Sequence, residues 1–268
     1  MSVETYYRDK VIWVTGASSG IGEALVKKLA SWNAKLIISS RRKEELERVR
    51  IECGDASGNI FILPLDLSVP ENVSTTTEEA IKMFGKIDIL FNNGGISQRS
   101  LATETSIETD RKIMEINYFS GVIITKKLLP SMIERGYGHI VAISSLTGKF
   151  GLPYRTAYSA SKHALQGYYE TVGAEFQNKG IRISIVFPGR VKTNISLEAI
   201  GPGGKRHAKM DAGQENGITP EKCAMDILQG VGKNKREIFT GGKEIWGIYI
   251  KRFFPGLFFR LIRKANPL

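Results

Sequence analysis

The sequence predicts an α/β fold: a Rossmann-type, doubly wound parallel sheet with helices on both faces, built as a single domain. Three observations predict it. Short apolar runs alternate with helical patterns along most of the chain, as the right-handed crossovers of a parallel sheet require. A glycine-rich turn, Gly16-x-x-x-Gly20-x-Gly22, stands between the first apolar run and the first helical pattern. The 268 residues suffice for one full-sized core, and 42% apolar with 24% charged residues is the composition of a folded chain.

In order, Val11–Thr15 reads as a buried strand, and residues 23–32 as a helix with Ala24, Leu25, Leu29 and Ala30 on one face. A strand at 35–39 precedes a charged helix at 43–50, and a strand at 59–65 closes on Asp66-Leu67. A polar helix at 71–84 leads to a strand at 87–91 and the turn Asn92-Asn-Gly-Gly95. A long helix at 108–130, a strand at 139–143 and a helix running from Tyr158 to about residue 178 follow. The strand at 182–187 is broken by Pro188-Gly189, and the Gly- and Lys-rich stretch 201–217 predicts a mobile loop. A helix at 220–230 and a strand at 237–240 complete the core. The expected organisation is a catalytic domain over 1–242, with a substrate loop at about 193–217, and a basic, aromatic extension over 243–268.

Several function classes are set aside at this stage. No run of eighteen apolar residues predicts a membrane-spanning helix, and the first ten residues lack the apolar segment of a secretory signal. Cys53 and Cys223 match no metal or redox spacing, and His139, His163 and His207 form no ligand pattern, so no metal site and a cytoplasmic setting are expected. The formal charge of +11 is uneven, since residues 231–268 hold nine Lys or Arg against two Glu. No nucleic-acid-binding motif accompanies them, so nucleic acid is not an expected partner. On a helical wheel from Leu257 to Lys264, Arg260, Arg263 and Lys264 fall within roughly a 100° arc opposite apolar residues. That pattern predicts either peripheral contact with a membrane surface, or an arm packed on a partner subunit or over the active-site mouth.

The glycine turn carries the first chemistry. Gly16, Gly20 and Gly22 let the backbone turn tightly and approach a pyrophosphate at the N-terminus of the helix that Gly20-Ile21-Gly22 opens. Ser18 and Ser19 add hydroxyl donors. At the end of the second strand an NAD-binding fold carries an acidic residue for the ribose 2′-hydroxyl; here stand Ser40, Arg41 and Arg42. Guanidinium groups suit a 2′-phosphate, which predicts NADP(H) over NAD(H). Tyr158 and Lys162, four apart on a helix, project from one face, where an ammonium favours the phenolate and makes tyrosine a usable proton donor or acceptor.

Thr15-Gly-Ala-Ser-Ser-Gly-Ile-Gly22, Asn92-Asn-Gly-Gly95, Asn117, Ser145, Tyr158-x-x-x-Lys162 and Pro188-Gly189, in that order and at these spacings, resemble the short-chain dehydrogenase/reductases. The resemblance runs from about Lys10 to Thr240 and is nearest to the dehydrogenase/reductase member 7 branch, through the first glycine turn and the stretch from Asn92 to Leu101. Gly95 departs from it, since the family more often has Ala there. The resemblance implies that Tyr158 exchanges the proton of a carbonyl or hydroxyl oxygen. It implies that Lys162 lowers the Tyr158 pKa and holds the nicotinamide ribose. Ser145 would polarise the substrate oxygen, with Ser144 as the alternative, and Asn117 would open a helix turn around a water linked to Lys162. It further implies cofactor contacts at Asp66, Leu67, Asn92, Gly94, Pro188, Gly189, Val191 and Thr193, and substrate contacts at Gln98, Leu146, Tyr154 and Arg190. A homodimer or homotetramer formed through the two long helices is implied as well. The expected activity is NADP(H)-dependent interconversion of a lipophilic ketone or aldehyde and an alcohol. A 3-oxoacyl-carrier-protein reductase is the alternative enzyme, and a non-catalytic NADPH sensor or scaffold the alternative class.

Overall fold

The computed structural model describes residues 2–265. Helix α1 (Val3–Tyr7) buries Tyr6 and Tyr7, and β1 (Val11–Thr15) then runs into α2 (Gly20–Ala30). Strand β2 (Lys35–Ser39), α3 (Lys43–Glu52), β3 (Ile60–Ile62), α4 (Pro70–Phe84) and β4 (Ile89–Asn92) complete the first half. The second half holds α5 (Ile107–Met114), a π-helical turn (Glu115–Phe119), α6 (Ser120–Glu134), β5 (Gly138–Ile143), α7 (Thr156–Phe176) and β6 (Ile181–Pro188). Then come α8 (Ala212–Glu215), α9 (Pro220–Gly232), β7 (Glu237–Thr240), α10 (Trp246–Phe253) and α11 (Pro255–Ile262). The sheet order is β3-β2-β1-β4-β5-β6-β7, and every pairing is parallel.

Parallel strands covered on both faces must be apolar at nearly every position, which is why β1 and β5 read as unbroken buried runs. Alternate residues feed two cores. Ile12, Val14, Leu36 and Ile38 join one face with Leu25, Leu29 and Ile227, while Trp13, Ile37, Leu90 and Ile140 join the other with Leu128 and Leu165. Trp13 is fully buried, and its indole N–H donates to the Ser39 hydroxyl across the β1–β2 pair at 2.9 Å.

Three expected elements differ. Strand β3 ends at Ile62, three residues early, because Pro64 has no N–H to continue the ladder; Leu63 and Leu65 still donate to Ile38 and Ser40. Pro130 does not end its helix, which continues to Glu134. The stretch 201–217 carries structure of its own: the His207 N–H donates to the Ala199 carbonyl, that of Gly201 to the Lys205 carbonyl, and α8 follows. The extension beyond residue 242 is a helix pair whose Phe258 is buried in the second core.

Candidate active site

The strand order reverses between β1 and β4, so the loops leaving these two carboxyl ends diverge and open a crevice. Gly16 (φ +64°) and Gly20 (φ +57°) both occupy the left-handed region. A Cβ on Gly16 would lie 2.7 Å from the Gly94 Cα, and one on Gly22 only 2.2 Å from the Gly16 carbonyl oxygen. Asn93, not singled out from the sequence, ties the two turns together. Its side-chain amide donates to the carbonyls of Thr15 (3.0 Å) and Gly16 (3.1 Å), while the Thr15 hydroxyl accepts from the N–H groups of Asn93 and Gly94. Leu67 lies against Gly94, where a Cβ would come within 2.3 Å of it.

Helix α2 starts with Ser19 as an N-cap whose side chain makes no capping bond, so first-turn N–H groups, Ile21 and Gly22 included, face the cradle. Such an end, beside backbones that only glycine permits, fits a pyrophosphate. At the ribose end, Arg42 and not Arg41 leans onto the turn: its guanidinium donates to the Ser18 hydroxyl at 3.3 Å, and its N–H to the Ser40 hydroxyl at 3.2 Å. Arg41 is exposed. The Asp66 carboxylate is committed to its own turn, accepting from the Ser68 N–H and hydroxyl. Burial opposes its ionisation, but those two bonds, and then the Arg41 charge, hold it below the usual carboxylate range. Asn92 does not face the crevice. Its amide donates to the Tyr169 hydroxyl at 2.9 Å inside the core, so it fastens α7 to the sheet where an adenosine contact was expected.

At the reacting end Ser145 caps a turn at Leu146–Gly148, accepting from the Thr147 N–H at 3.2 Å, and its hydroxyl stands close enough to the Tyr158 phenol to lower that group's pKa. Ser144 points elsewhere: its buried hydroxyl donates to the Lys162 carbonyl and anchors α7 on β5. The Lys162 ammonium donates to the Ile143 carbonyl at 2.8 Å and lies 5.8 Å from the centre of the Tyr158 ring. Burial pushes the Tyr158 phenol up, against the Ser145 hydroxyl and the charges of Arg155 and Arg99, so it is a protonated donor at neutral pH. Burial pushes Lys162 down to about 8. Arg155 and Arg99 thus join Lys162 as cations close to the Tyr158 ring.

Asn117 sits in the π-helical turn, where Ser120 N–H reaches back to the Glu115 carbonyl and the helix widens by one residue. Its side chain accepts from the Ile96 N–H (2.8 Å) and donates to the Ile96 carbonyl and the Ser161 hydroxyl (3.0 Å each). A Cβ at Gly95 would come within 3.0 Å of the Asn117 carbonyl oxygen and 3.6 Å of the Lys162 nitrogen. The glycine therefore leaves room between these two side chains.

A cavity of about 450 Å³ joins these groups, bordered by Ser145, Leu146, Tyr158, Lys162, Thr193 and Arg190. Pro188, Gly189 and Val191 line its cofactor side, and the Gln214 amide fixes Val191 through its carbonyl at 2.7 Å. Gln98 and Tyr154 do not line it. Gln98 is fully buried, and its side-chain oxygen accepts the Ala157 N–H at 2.9 Å, capping α7 from outside. Tyr154 adopts a positive φ of 64° and offers its carbonyl to Ser100. Both position the catalytic helix's entry instead of touching the cavity.

The cavity wall also holds a charged group not foreseen from the sequence. Arg99 and Asp211, each 2% exposed, pair at 2.7 Å, and the same carboxylate takes Arg155 at 2.8 Å. Three distant segments meet here: the loop after β4, the substrate loop and the residue that opens α7 three positions before Tyr158. Burial, then the Arg99 charge, pushes Arg155 down to about 10 despite Asp211. Glu244 is another unforeseen member, accepting the Arg190 N–H at 2.7 Å and so tying the start of the C-terminal segment to the turn after β6.

Residues 10–200 match the family described as short chain dehydrogenase. The chain belongs to the short-chain dehydrogenase/reductase (SDR) family. Over 97% of its length it is 39% identical to the dehydrogenase/reductase SDR family member 7B of Mus musculus, covering 82% of that protein. It is likewise 39% identical, over 95% of its length, to the dehydrogenase/reductase SDR family protein 7-like of Anopheles gambiae, of which it covers 82%. Among solved structures, an SDR from Burkholderia phymatum in complex with NAD shares the fold (TM-score 0.84, 23% identity, 98% of each chain). An alcohol dehydrogenase from Thermococcus sibiricus complexed with 5-hydroxy-NADP matches at TM-score 0.75 and 25% identity, over 88% of this chain and 97% of that one. The family makes this chain an SDR oxidoreductase.

Proposed function

We propose that this SDR reduces a lipophilic ketone or aldehyde with NADPH, or runs the reverse oxidation, with Tyr158 as the general acid or base. The observation that carries the reading is the Ser145–Tyr158–Lys162 group at the mouth of the glycine cradle, on the wall of a cavity large enough for a mid-sized substrate. The nicotinamide supplies the hydride chemistry when bound. What this chain adds is position and a proton. The Ser145 hydroxyl holds a substrate oxygen beside the Tyr158 phenol, and the raised phenol pKa keeps the proton available until charge develops on that oxygen. Lys162, donating to Ile143, stands one helical turn behind to steady the phenolate that results. The phenolate regains its proton on the side of the Lys162 nitrogen where Gly95 and Asn117 stand.

The preference for NADPH rests on Arg42 and Arg41 at the end of β2, with no carboxylate at Ser40 to meet a free ribose hydroxyl. Apolar lining from Leu146, Phe150, Leu152 and Ile195 supports a lipophilic substrate. Exposed Ile107 and Phe119, on the α5–α6 helix, suit the homo-oligomer that SDR enzymes form. The test is a panel of carbonyl compounds with NADPH and NADH in parallel. Oxidation of NADPH by lipophilic carbonyls, several-fold faster than of NADH, is the expected result; equal or better use of NADH would overturn the assignment of the arginines.

A further inference from the structure

Helices α10 and α11 present two faces with different chemistry. Inward, Gly247, Ile250, Phe258 and Ile262 line the cavity that holds Tyr158. Phe258 packs on Phe150 with ring centres 5.2 Å apart, and Lys251 donates to the Lys149 carbonyl at 2.6 Å, which holds the pair in place as a roof. Outward, Trp246, Phe253, Phe254 and Phe259 are each more than half exposed. Among the described residues, seven of the fourteen exposed large apolar side chains lie between positions 246 and 261, so these are a patch and not scattered singletons. Around them stand the exposed Arg252, Arg260, Arg263 and Lys264, with no Asp or Glu from 245 to 264.

The geometry points to an anionic lipid bilayer as the occupant of this outer face, with the cavity roof seated in the headgroup layer. Large aromatics flanked by uncompensated cations match a surface that is apolar below and anionic above. A second copy of the chain, docked through the same patch, would set these cations against their own images. Phe258 is buried while its neighbours Leu257 and Phe259 are exposed, so one short helix contacts the cavity and the outer surface at once. A carbonyl compound dissolved in the bilayer therefore reaches Tyr158 by passing a single layer of side chains, without crossing water. This last step rests on the carbonyl-reducing function proposed above; the docking itself does not.

The docking is tested with the full chain and extruded vesicles, of phosphatidylcholine alone or in equal parts with phosphatidylserine. Two variants accompany it, Trp246→Ser/Phe253→Ser/Phe259→Ser and Arg252→Glu/Arg260→Glu. Co-sedimentation with the mixed vesicles, weakened at least about tenfold in each variant, is the expected result. Turnover of a water-soluble carbonyl, unchanged in both, shows that they are folded. Equal partition of wild type and variants overturns the proposal, as does a patch whose mutation dissolves a dimer and leaves vesicle binding intact. Vesicle binding that persists in a protein oxidising no NADPH would reject the catalytic reading and leave the docking standing.

Discussion

Replacing Asp211 by Ala removes the carboxylate that pairs with both Arg99 and Arg155 in the cavity wall. Arg99 is 2% exposed and Arg155 13%, so solvent screens neither well. Breaking a buried pair of this kind costs about 3–5 kcal/mol, because the stranded cation keeps its desolvation penalty. With a urea dependence of roughly 3 kcal/mol per molar, the unfolding midpoint falls by about 1–2 M. The same change exposes Tyr158 to two less-compensated guanidinium charges, which already act to lower its pKa. In the proposed mechanism carbonyl reduction needs the protonated phenol and is lost as pH rises through that pKa. A lowered pKa therefore moves the alkaline limb of kcat/KM to lower pH, a shift that loosened packing would not produce. Asp211→Glu, which keeps the charge, restores most of both. Urea titration and a pH–rate profile give the two readings. A midpoint within about 0.3 M of wild type, together with an unmoved alkaline limb, would refute the reasoning.

Three other perturbations test separate parts of the site. Gly22→Ala places a methyl 2.2 Å from the Gly16 carbonyl, and binding of NADPH, followed by tryptophan fluorescence, falls more than about tenfold. Arg42→Ala weakens NADPH about tenfold, the worth of one charge-assisted bond, and leaves NADH within about twofold; equal loss for both would show that Arg42 reads no phosphate. His139, buried with Tyr6 and Ser184 on its two ring nitrogens, has its pKa pushed by burial from 6.5 down to about 3. The unfolded chain then binds the extra proton, so stability is full above pH 6.5 and falls by up to about 1.4 kcal/mol per unit as pH drops toward 3. Urea unfolding over that window, with a shallower slope for His139→Gln, checks it.

Features governed by local chemistry were legible in the sequence. Parallel strands buried on both faces announce themselves as apolar runs, and Gly16, Gly20 and Gly22 are needed because a Cβ on them would meet Gly94, Thr193 and the Gly16 carbonyl in turn. Tyr158 and Lys162 are set by helical spacing alone. What was not legible depends on where distant segments meet. Arg99, Arg155 and Asp211 lie on three loops more than fifty residues apart, and nothing local marks them as partners. Gln98 belongs to the same class, expected in the pocket but turned inward. A signal for it existed: α7 begins behind Arg155, which makes no side-chain cap, so the cap had to come from elsewhere, and Gln98 supplies it. Asn92 and Asn93 were likewise indistinguishable by type; only the fold sends one into the core and the other onto the glycine turn. The periodicity of the C-terminal segment indicated its two faces, while only the tertiary structure shows that one of them roofs the cavity.

The central claim is that Tyr158 passes a proton to a substrate oxygen in this cavity. Single-turnover reduction by Tyr158→Phe, measured beside its NADPH affinity, tests it most directly. Phe keeps the ring's packing and removes only the hydroxyl, whose pKa Ser145 helps to lower. The account predicts a rate lowered by at least about a hundredfold with NADPH binding within about twofold of wild type. A rate within a few-fold of wild type would contradict it.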